Sequence, residues 1–343
     1  MLPRYLKTLF KLAFSLGLCG AFLWTAFRGV NLQVFWQEIR RADAFYLALS
    51  GGVLIFSTFP RAWRWKILMG PVAPDISLWR TSVAVLIGYA GNNLFPRAGE
   101  VARVLAIRKG RNLPISALLA TVVVERALDM FALLLLFGYV LFINRQEIAR
   151  VFPWMEGVGL IAFLLSMLLL VLFGLLSAYG DRALDILKRP LRRISRPLAD
   201  RLIVALHAFF QGMGGIRTKA GYLEIALSTV ILYAIYILSL YLTFLAFSFP
   251  DKYGLNFIQA IVVTVVSTTG VILPTPGGTG TYNLFCSQTL HHLYGVPLSE
   301  ALALATAVHG IAYLSFLLLG GPGLLGLLIR RSSSGPLRSV PPT

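Results

Sequence analysis

The sequence predicts an all-α polytopic membrane protein with two inverted-topology repeats. Of its 343 residues, 57% are apolar and only 13% are charged, whereas soluble domains carry about 25% charged residues. Several apolar stretches approach the ~20 residues that cross a bilayer. Basic residues give a net charge of +17 and cluster between these stretches. Because cytoplasmic loops of membrane proteins collect Lys and Arg, the excess sets the topology and does not indicate a nucleic-acid partner.

The first repeat, residues 1–143, is predicted to contain three full spans and one re-entrant helical hairpin. The spans are Leu9–Phe27, Ala44–Phe59 and Ile115–Ile143. The segment after the second span is predicted to be a cytoplasmic loop because it carries Arg61, Arg64, Lys66 and Arg80. Residues 81–109 lie between two basic regions, so they cannot cross the bilayer once. They are expected to turn back at Pro96 and Gly99.

The second repeat, residues 144–329, is predicted to show the same order of elements in the opposite orientation. Its spans are Gly157–Tyr179, Tyr222–Phe249 and Ala301–Leu319. A basic cytoplasmic segment, 181–219, separates the first two, and a second re-entrant hairpin, 256–294, precedes the last. The tail, 330–343, is basic, which predicts that both termini are cytoplasmic. We expect the protein in the cell (inner) membrane. Inverted repeats with helices broken at matching positions indicate a transporter whose site lies near the midplane.

Three charged residues, Glu125, Arg126 and Asp129, lie inside the third span. A charge at that depth costs about 2.5–3.5 kcal/mol on insertion scales, so it needs partners or water. Glu125 and Asp129 share a helix face at i, i+4, and Arg126 pairs with Asp129 at i, i+3. Two alternatives remain open: a substrate site, or a buried ion pair that locks helices together.

The break in the first hairpin carries the motif Pro-Arg-Ala-Gly-Glu, which ends at Glu100, followed by Arg103. Arg97 is expected at the tip, and Glu100 and Arg103 at i, i+3 are expected to neutralise each other. Asn92 and Asn93 are positioned to satisfy backbone groups freed by the break. The alternative is an ordinary basic cytoplasmic loop with a proline turn.

The break in the second hairpin, Pro274–Gly280, combines two prolines and three glycines, which cannot continue a helix. The residues of interest are Pro274, Gly277, Gly278 and Gly280. Accessible N–H groups and the positive end of the next helix would suit a phosphate or a carboxylate. The alternative is a simple turn outside the membrane.

His309, in the last span, is a candidate proton or headgroup partner, or else a core histidine bonded to a backbone carbonyl. Cys19 and Cys286 both lie in apolar surroundings and indicate neither a disulfide framework nor a zinc site. No metal-ligand pattern and no nucleotide-binding loop stands out, so no cofactor is predicted.

Together these motifs resemble the lysylphosphatidylglycerol synthase transmembrane family, the flippase-like membrane half of the multiple peptide resistance factors. The resemblance runs from about Leu6 to Ile329. It implies lipid translocation, with aminoacyl-phosphatidylglycerol as cargo in members fused to a synthase domain. Because the sequence ends at Thr343, no synthase domain and no lysyl-lipid synthesis are expected. Asn283 stands where the family usually has a Glu after the last glycine, which alters the expected headgroup chemistry.

The function predicted from the sequence is therefore a translocase, not an enzyme, for a phospholipid or a polyprenyl-linked lipid. Arg97, Arg126 and the glycine-rich helix start would hold the phosphate, while Glu125 and Asp129 balance Arg126 or accept a cationic part of the headgroup. A homodimer is compatible with this prediction. The rival functions are an intramembrane lipid-headgroup phosphatase or transferase, and a scaffold subunit in which the charges only hold helices together.

Overall fold

All secondary structure in the described part of the chain is helical, which confirms the predicted all-α class. A computed structural model describes residues 4–151, 219–271 and 273–333, together with single positions between 157 and 200. Apart from those single positions and residue 219, the predicted span Gly157–Tyr179 and the basic segment 181–219 lie outside the described residues, as does the tail from residue 334 onward.

Twelve α-helices are described. The first seven are α1 (Arg4–Phe27), α2 (Leu32–Arg41), α3 (Ala44–Phe56), α4 (Thr58–Met69), α5 (Leu78–Leu94), α6 (Ala98–Arg108) and α7 (Ile115–Val151). The others are α8 (Lys219–Ala246), α9 (Phe249–Tyr253), α10 (Phe257–Gly270), α11 (Thr281–Tyr294) and α12 (Leu298–Ser333), with a 3₁₀ turn at Pro276–Gly278 before α11.

By length and composition, three helical segments of the described chain can cross a membrane. They are Ala44–Met69, which joins α3 to α4, Gly221–Ala246 and Leu298–Ile329. A fourth span results if Leu12–Phe27 and Leu32–Arg41, which meet at 91°, form one bent span. These helices support a multi-pass membrane protein, whereas the six spans, the inverted repeats and the cytoplasmic termini stay predictions.

The prediction of a cytoplasmic loop after Phe59 is wrong. Its four basic residues are helical: Arg61, Arg64 and Lys66 lie in α4, and Arg80 lies in α5. Arg61 is 6% exposed and Arg64 is fully buried. Pro60 does not end the helix, because it lies in the first turn of α4, where a missing N–H removes no helical hydrogen bond.

Each of the two predicted hairpins is a pair of helices joined at its predicted break. In the first pair, α5 and α6 approach so closely that a Cβ at Gly99 would lie 1.9 Å from the carbonyl oxygen of Gly88. The two breaks meet at Asn93, whose Nδ2 donates to the Tyr313 carbonyl at 2.9 Å. A Cβ at Gly277 would lie 2.9 Å from Oδ1 of the same asparagine.

An ion triad links α2, α9 and α12 away from these breaks. Lys252 donates to Glu38 at 2.8 Å and to Glu300 at 3.2 Å. Burial lowers the pKa of Lys252, but the hydrogen bonds and charges of the two carboxylates outweigh it, so this pKa lies above its ordinary value. The triad therefore ties the short helices α2 and α9 to the start of α12.

Candidate functional site

Three helices, α4, α6 and α7, bring seven charged side chains into one cluster, called here the arginine cluster. Its members are Arg61, Arg64, Glu100, Arg103, Glu125, Arg126 and Asp129. Five of these are predicted site residues, and the two from α4 were not predicted. Four guanidinium groups face three carboxylates, so the cluster carries one positive charge in excess.

Glu125 lies at the centre of the arginine cluster and is fully buried. Its Oε1 accepts a hydrogen bond from Arg61 Nη1 and its Oε2 accepts one from Arg103 Nη1, both at 2.7 Å. Arg64 Nη2 is 3.7 Å from Oε1. Because guanidinium groups engage both of its oxygens, this carboxylate ties α7 to α4 and α6. The contact is of the kind expected for a buried ion pair that locks helices together, one of the two alternatives left open by the sequence.

Asp129 lies one turn further along α7 and joins the same arginines. Its Oδ2 accepts from Arg61 Nη1 at 3.0 Å, and its Oδ1 accepts a hydrogen bond from Arg64 Nη2. Arg126 Nη1 is 3.5 Å from Oδ2, which confirms the predicted i, i+3 pair. Arg64 also donates to Thr229 of α8 at 3.0 Å, so the cluster reaches a fourth helix.

Glu100 and Arg103 do not pair with each other, contrary to the prediction. Glu100 Oε1 contacts Arg126 Nη2 at 3.2 Å, while Arg103 bonds to Glu125. The packing of α6 against α7 supplies each side chain with an oppositely charged partner across the interface, where burial strengthens the attraction. Arg126 is the most exposed arginine of the cluster, with 44% of its side chain accessible.

A small cavity opens beside the arginine cluster. It is lined by Arg61, Val85, Gly88, Tyr89, Asn92, Gly99, Arg103 and Arg126. Its volume of about 10 Å³ is that of a single water molecule. Asn92 Oδ1 accepts from the Gly99 N–H at 2.8 Å, as expected for a residue that satisfies the broken backbone.

Arg97 does not join this cluster. It is the N-cap of α6, its φ of 61° lies in the left-handed region, and its side chain is exposed. It does not line the cavity. Arg97 lies at the break between α5 and α6, whereas its position at the tip of a re-entrant hairpin and a phosphate contact stay predictions.

The second break is closed by its own hydrogen bonds. Gly278 N–H donates to the Thr275 carbonyl at 3.2 Å, and Thr279 N–H donates to the Pro276 carbonyl at 3.0 Å. Gly280 N–H donates to Asn283 Oδ1 at 3.2 Å. These three amides, which the sequence suggested for phosphate binding, are therefore already satisfied.

The glycines of this break serve its conformation and its packing. Gly277, Gly278 and Gly280 all have positive φ. A Cβ at Gly280 would lie 2.8 Å from the Cys19 carbonyl oxygen of α1. Pro274 is held from the same helix, because Ser15 Oγ donates to its carbonyl oxygen. The break is consequently packed against α1.

His309 and Asn283 complete a second polar group around this break. Nε2 of His309 lies 3.3 Å from Thr279 Oγ1, and its ring stacks on Tyr282 at 5.3 Å. The histidine thus bonds to a hydroxyl group, not to the backbone carbonyl that the core alternative required. Asn283 Nδ2 donates to Thr306 Oγ1 at 3.2 Å. In the described part of the chain, no hydrogen bond or ion pair joins these side chains to the arginine cluster. Asn93 and Tyr313 bond to each other, Asn93 Nδ2 to the Tyr313 carbonyl and Tyr313 Oη to the Asn93 carbonyl, both at 2.9 Å.

Comparison with known proteins decides the family. The Lysylphosphatidylglycerol synthase TM region matches residues 9–320. The chain belongs to this family. A UPF0104 membrane protein from Methanothermobacter thermautotrophicus is 26% identical over 266 residues, which are 71% of this chain and 74% of that protein. Membership agrees with the apolar helices and with a lipid-related role in a membrane.

The arginines of α4 are the site residues that the sequence did not reveal. The signal that could have found them is their spacing with Trp65 and Leu68 at i, i+3, i+4 and i+7, which puts both arginines on the apolar face of the helix, where a charge needs a buried partner. Within the described ranges, no group of three metal-ligating side chains comes together. The arrangement is therefore suited to binding an anion through guanidinium groups.

Proposed function

We propose that this chain is a membrane lipid translocase that moves a phosphate-containing headgroup between leaflets. In this proposal α5–α6 and α10–α11 are re-entrant hairpins of two inverted repeats, and they enter the membrane from opposite faces. The protein would lie in the inner membrane with both termini in the cytoplasm. The family and the close approach of Asn93, beside the first break, to Gly277 of the second break support this topology. Broken helices that face each other are typical of transporters with a midplane site.

The observation that carries the proposal is the charge excess of the arginine cluster. A buried guanidinium without a counter-charge is costly, because desolvation removes its water and nothing replaces that water. The headgroup of a phosphodiester lipid carries the single negative charge that would neutralise the excess. Arg103 and Arg126 are the arginines best placed for this, because both line the cavity. Arg126 is the most exposed arginine of the cluster, and Arg103 donates to Glu125 through one nitrogen only.

The acyl or polyprenyl tails would remain in the bilayer while the headgroup passes. The cavity of about 10 Å³ is too small for a phosphate, so the described conformation is the closed one in this proposal. Rocking of one repeat against the other would open it to each leaflet in turn. In this scheme Glu125 and Asp129 are positioning residues that orient the arginines.

The test is translocation of an acyl-labelled fluorescent phosphatidylglycerol in proteoliposomes, followed by dithionite quenching of the outer leaflet. Wild-type protein is expected to expose inner-leaflet lipid to the quencher. Arg126→Gln, which removes the most accessible charge of the cluster, is expected to slow this at least about tenfold, the effect of 1.4 kcal/mol. Arg111→Gln, at an exposed position between α6 and α7, is the matched control and is expected to behave as wild type.

Each rival function has its own outcome in the same vesicles. Headgroup release that depends on Arg126 would identify an enzyme. A variant that unfolds, together with wild-type protein that moves no lipid, would identify a scaffold. Wild-type vesicles that quench no faster than empty ones would overturn the proposal.

The topology is tested by labelling single cysteines from each side of the membrane. With Cys19 and Cys286 replaced by Ser, cysteines at Arg97 and Thr279 are expected to react from opposite faces. Reaction of both positions from one face only would contradict the inverted hairpins.

A further inference from the structure

Among the residues that the structure describes, one edge of Arg103 has no hydrogen-bond partner. Its Nη1 donates to Glu125, yet its Nε and Nη2 are buried and make no hydrogen bond. The side chain is 3% exposed and lines the cavity beside the arginine cluster. Buried N–H groups of a charged side chain are almost always paired, so this edge marks a place for an absent acceptor.

The free edge has the geometry that oxoanions need. In a guanidinium group the Nε–H and one Nη2–H point in the same direction, so they can donate in parallel to two oxygens of one phosphate or carboxylate. The plane of the group is fixed, because Arg103 stacks over the Trp65 ring at 4.5 Å. Trp65 is itself held by a hydrogen bond from Nε1 to Thr121 Oγ1 at 2.9 Å.

Glu100 is paired with Arg126, which is the second arginine that such an anion would contact. Its Oε1 contacts Arg126, while its Oε2 is buried without a hydrogen bond. A carboxylate that is satisfied on one side only is the most weakly held acceptor of the cluster. Since Arg126 also lines the cavity, an anion bridging Arg103 and Arg126 would compete with Glu100 for the same guanidinium.

We propose that the Nε/Nη2 edge of Arg103 and the guanidinium of Arg126 form a phosphate site in which Glu100 is the internal carboxylate that the phosphate displaces. That the phosphate belongs to a lipid headgroup rests on the proposed function. That the site binds phosphate does not depend on it. Displacement of Glu100 frees the guanidinium of Arg126, which lines the cavity, for the phosphate.

The experiment is isothermal titration calorimetry of the full chain in detergent micelles with three probes. Dihexanoyl-phosphatidylglycerol tests the headgroup, inorganic phosphate tests the free anion, and dihexanoylglycerol, which has no phosphate, tests binding through the tails. The phosphatidylglycerol is expected to bind and the dihexanoylglycerol is not. Inorganic phosphate binding as tightly as the lipid would make free phosphate, not a headgroup, the ligand of this site.

Two variants are expected to change the affinity in opposite directions. Arg103→Lys keeps the charge facing Glu125 but has no forked edge, and is expected to weaken binding of the phosphatidylglycerol at least about tenfold. Glu100→Gln removes the competing charge and is expected to tighten binding several-fold. Arg111→Lys is the exposed control and is expected to match wild type.

Wild-type affinity in Arg103→Lys would overturn the site. If that variant fails to fold, Glu100→Gln decides the question, because unchanged or weaker binding contradicts displacement. If binding follows these expectations but the protein moves no lipid in vesicles, the phosphate site stands and the translocase function is rejected.

Discussion

Replacing Glu125 by Gln is the most severe single change available in the arginine cluster. The fully buried carboxylate accepts two hydrogen bonds of 2.7 Å, from Arg61 and from Arg103, and has a third guanidinium at 3.7 Å. A glutamine offers one acceptor oxygen, and its NH₂ group faces an arginine with a donor. Arg103, which pairs with Glu125 alone among the described residues, is then left buried without its counter-charge, whereas Arg61 keeps Asp129.

The expected cost follows from this loss. Removing one partner of a buried ion pair costs about 3–5 kcal/mol. That corresponds to an unfolding equilibrium constant raised roughly a hundred- to several-thousand-fold, since about 1.4 kcal/mol is tenfold. Asp251→Asn is the matched control: Asp251 is exposed on α9, and its loss is expected to change the free energy of unfolding by no more than about 0.5 kcal/mol.

Reversible unfolding in mixed micelles, with sodium dodecyl sulfate as denaturant and far-ultraviolet circular dichroism as the signal, measures both values. The double variant Glu125→Gln with Arg103→Gln is expected to cost less than the sum of its single changes by about 0.5–3 kcal/mol, because the two groups interact directly. Additive costs, or a Glu125→Gln variant as stable as the control, would refute the assigned ion pair.

Two further predictions concern the packing of the hairpin and the ion triad of Lys252. Gly99→Ala is expected to destabilise by about 1–3 kcal/mol, since its Cβ would lie 1.9 Å from the Gly88 oxygen. Gly52→Ala, in α3 with nothing within 4 Å, is expected to stabilise in the same unfolding titration. The pKa of Lys252 is raised in the folded state, so its stabilising effect is present below its ordinary pKa of 10.5 and is lost above it as the folded group titrates. The melting-temperature difference between wild type and Lys252→Met should therefore shrink between pH 8 and pH 11, and a constant difference would contradict this.

The breaks of the helices could be predicted because their causes are local. Proline and glycine mark them in the sequence, and in the structure α6 begins at Ala98 and α11 at Thr281, next to these residues. The satisfied amides of the second break could not be foreseen from glycine content. The acceptors are carbonyls of Thr275 and Pro276 and the side chain of Asn283, and only the folded turn brings them to the amides.

The two arginines of α4 show what a single sequence hides. Charge after an apolar run is typical of a cytoplasmic loop, and that rule placed Arg61 and Arg64 there. Their partners Glu125 and Asp129 are 64 to 68 positions away in the chain. Such a pairing depends on how α4 packs against α7, and the order of residues along either helix gives no information about that packing.

A density map of the protein in nanodiscs containing phosphatidylglycerol tests the central claim most directly. The account predicts a lipid phosphate in contact with Arg103 and Arg126, with the Glu100 side chain turned away. Arginines that contact only the three carboxylates of the cluster, with lipid confined to the outer surface of the helices, would contradict it.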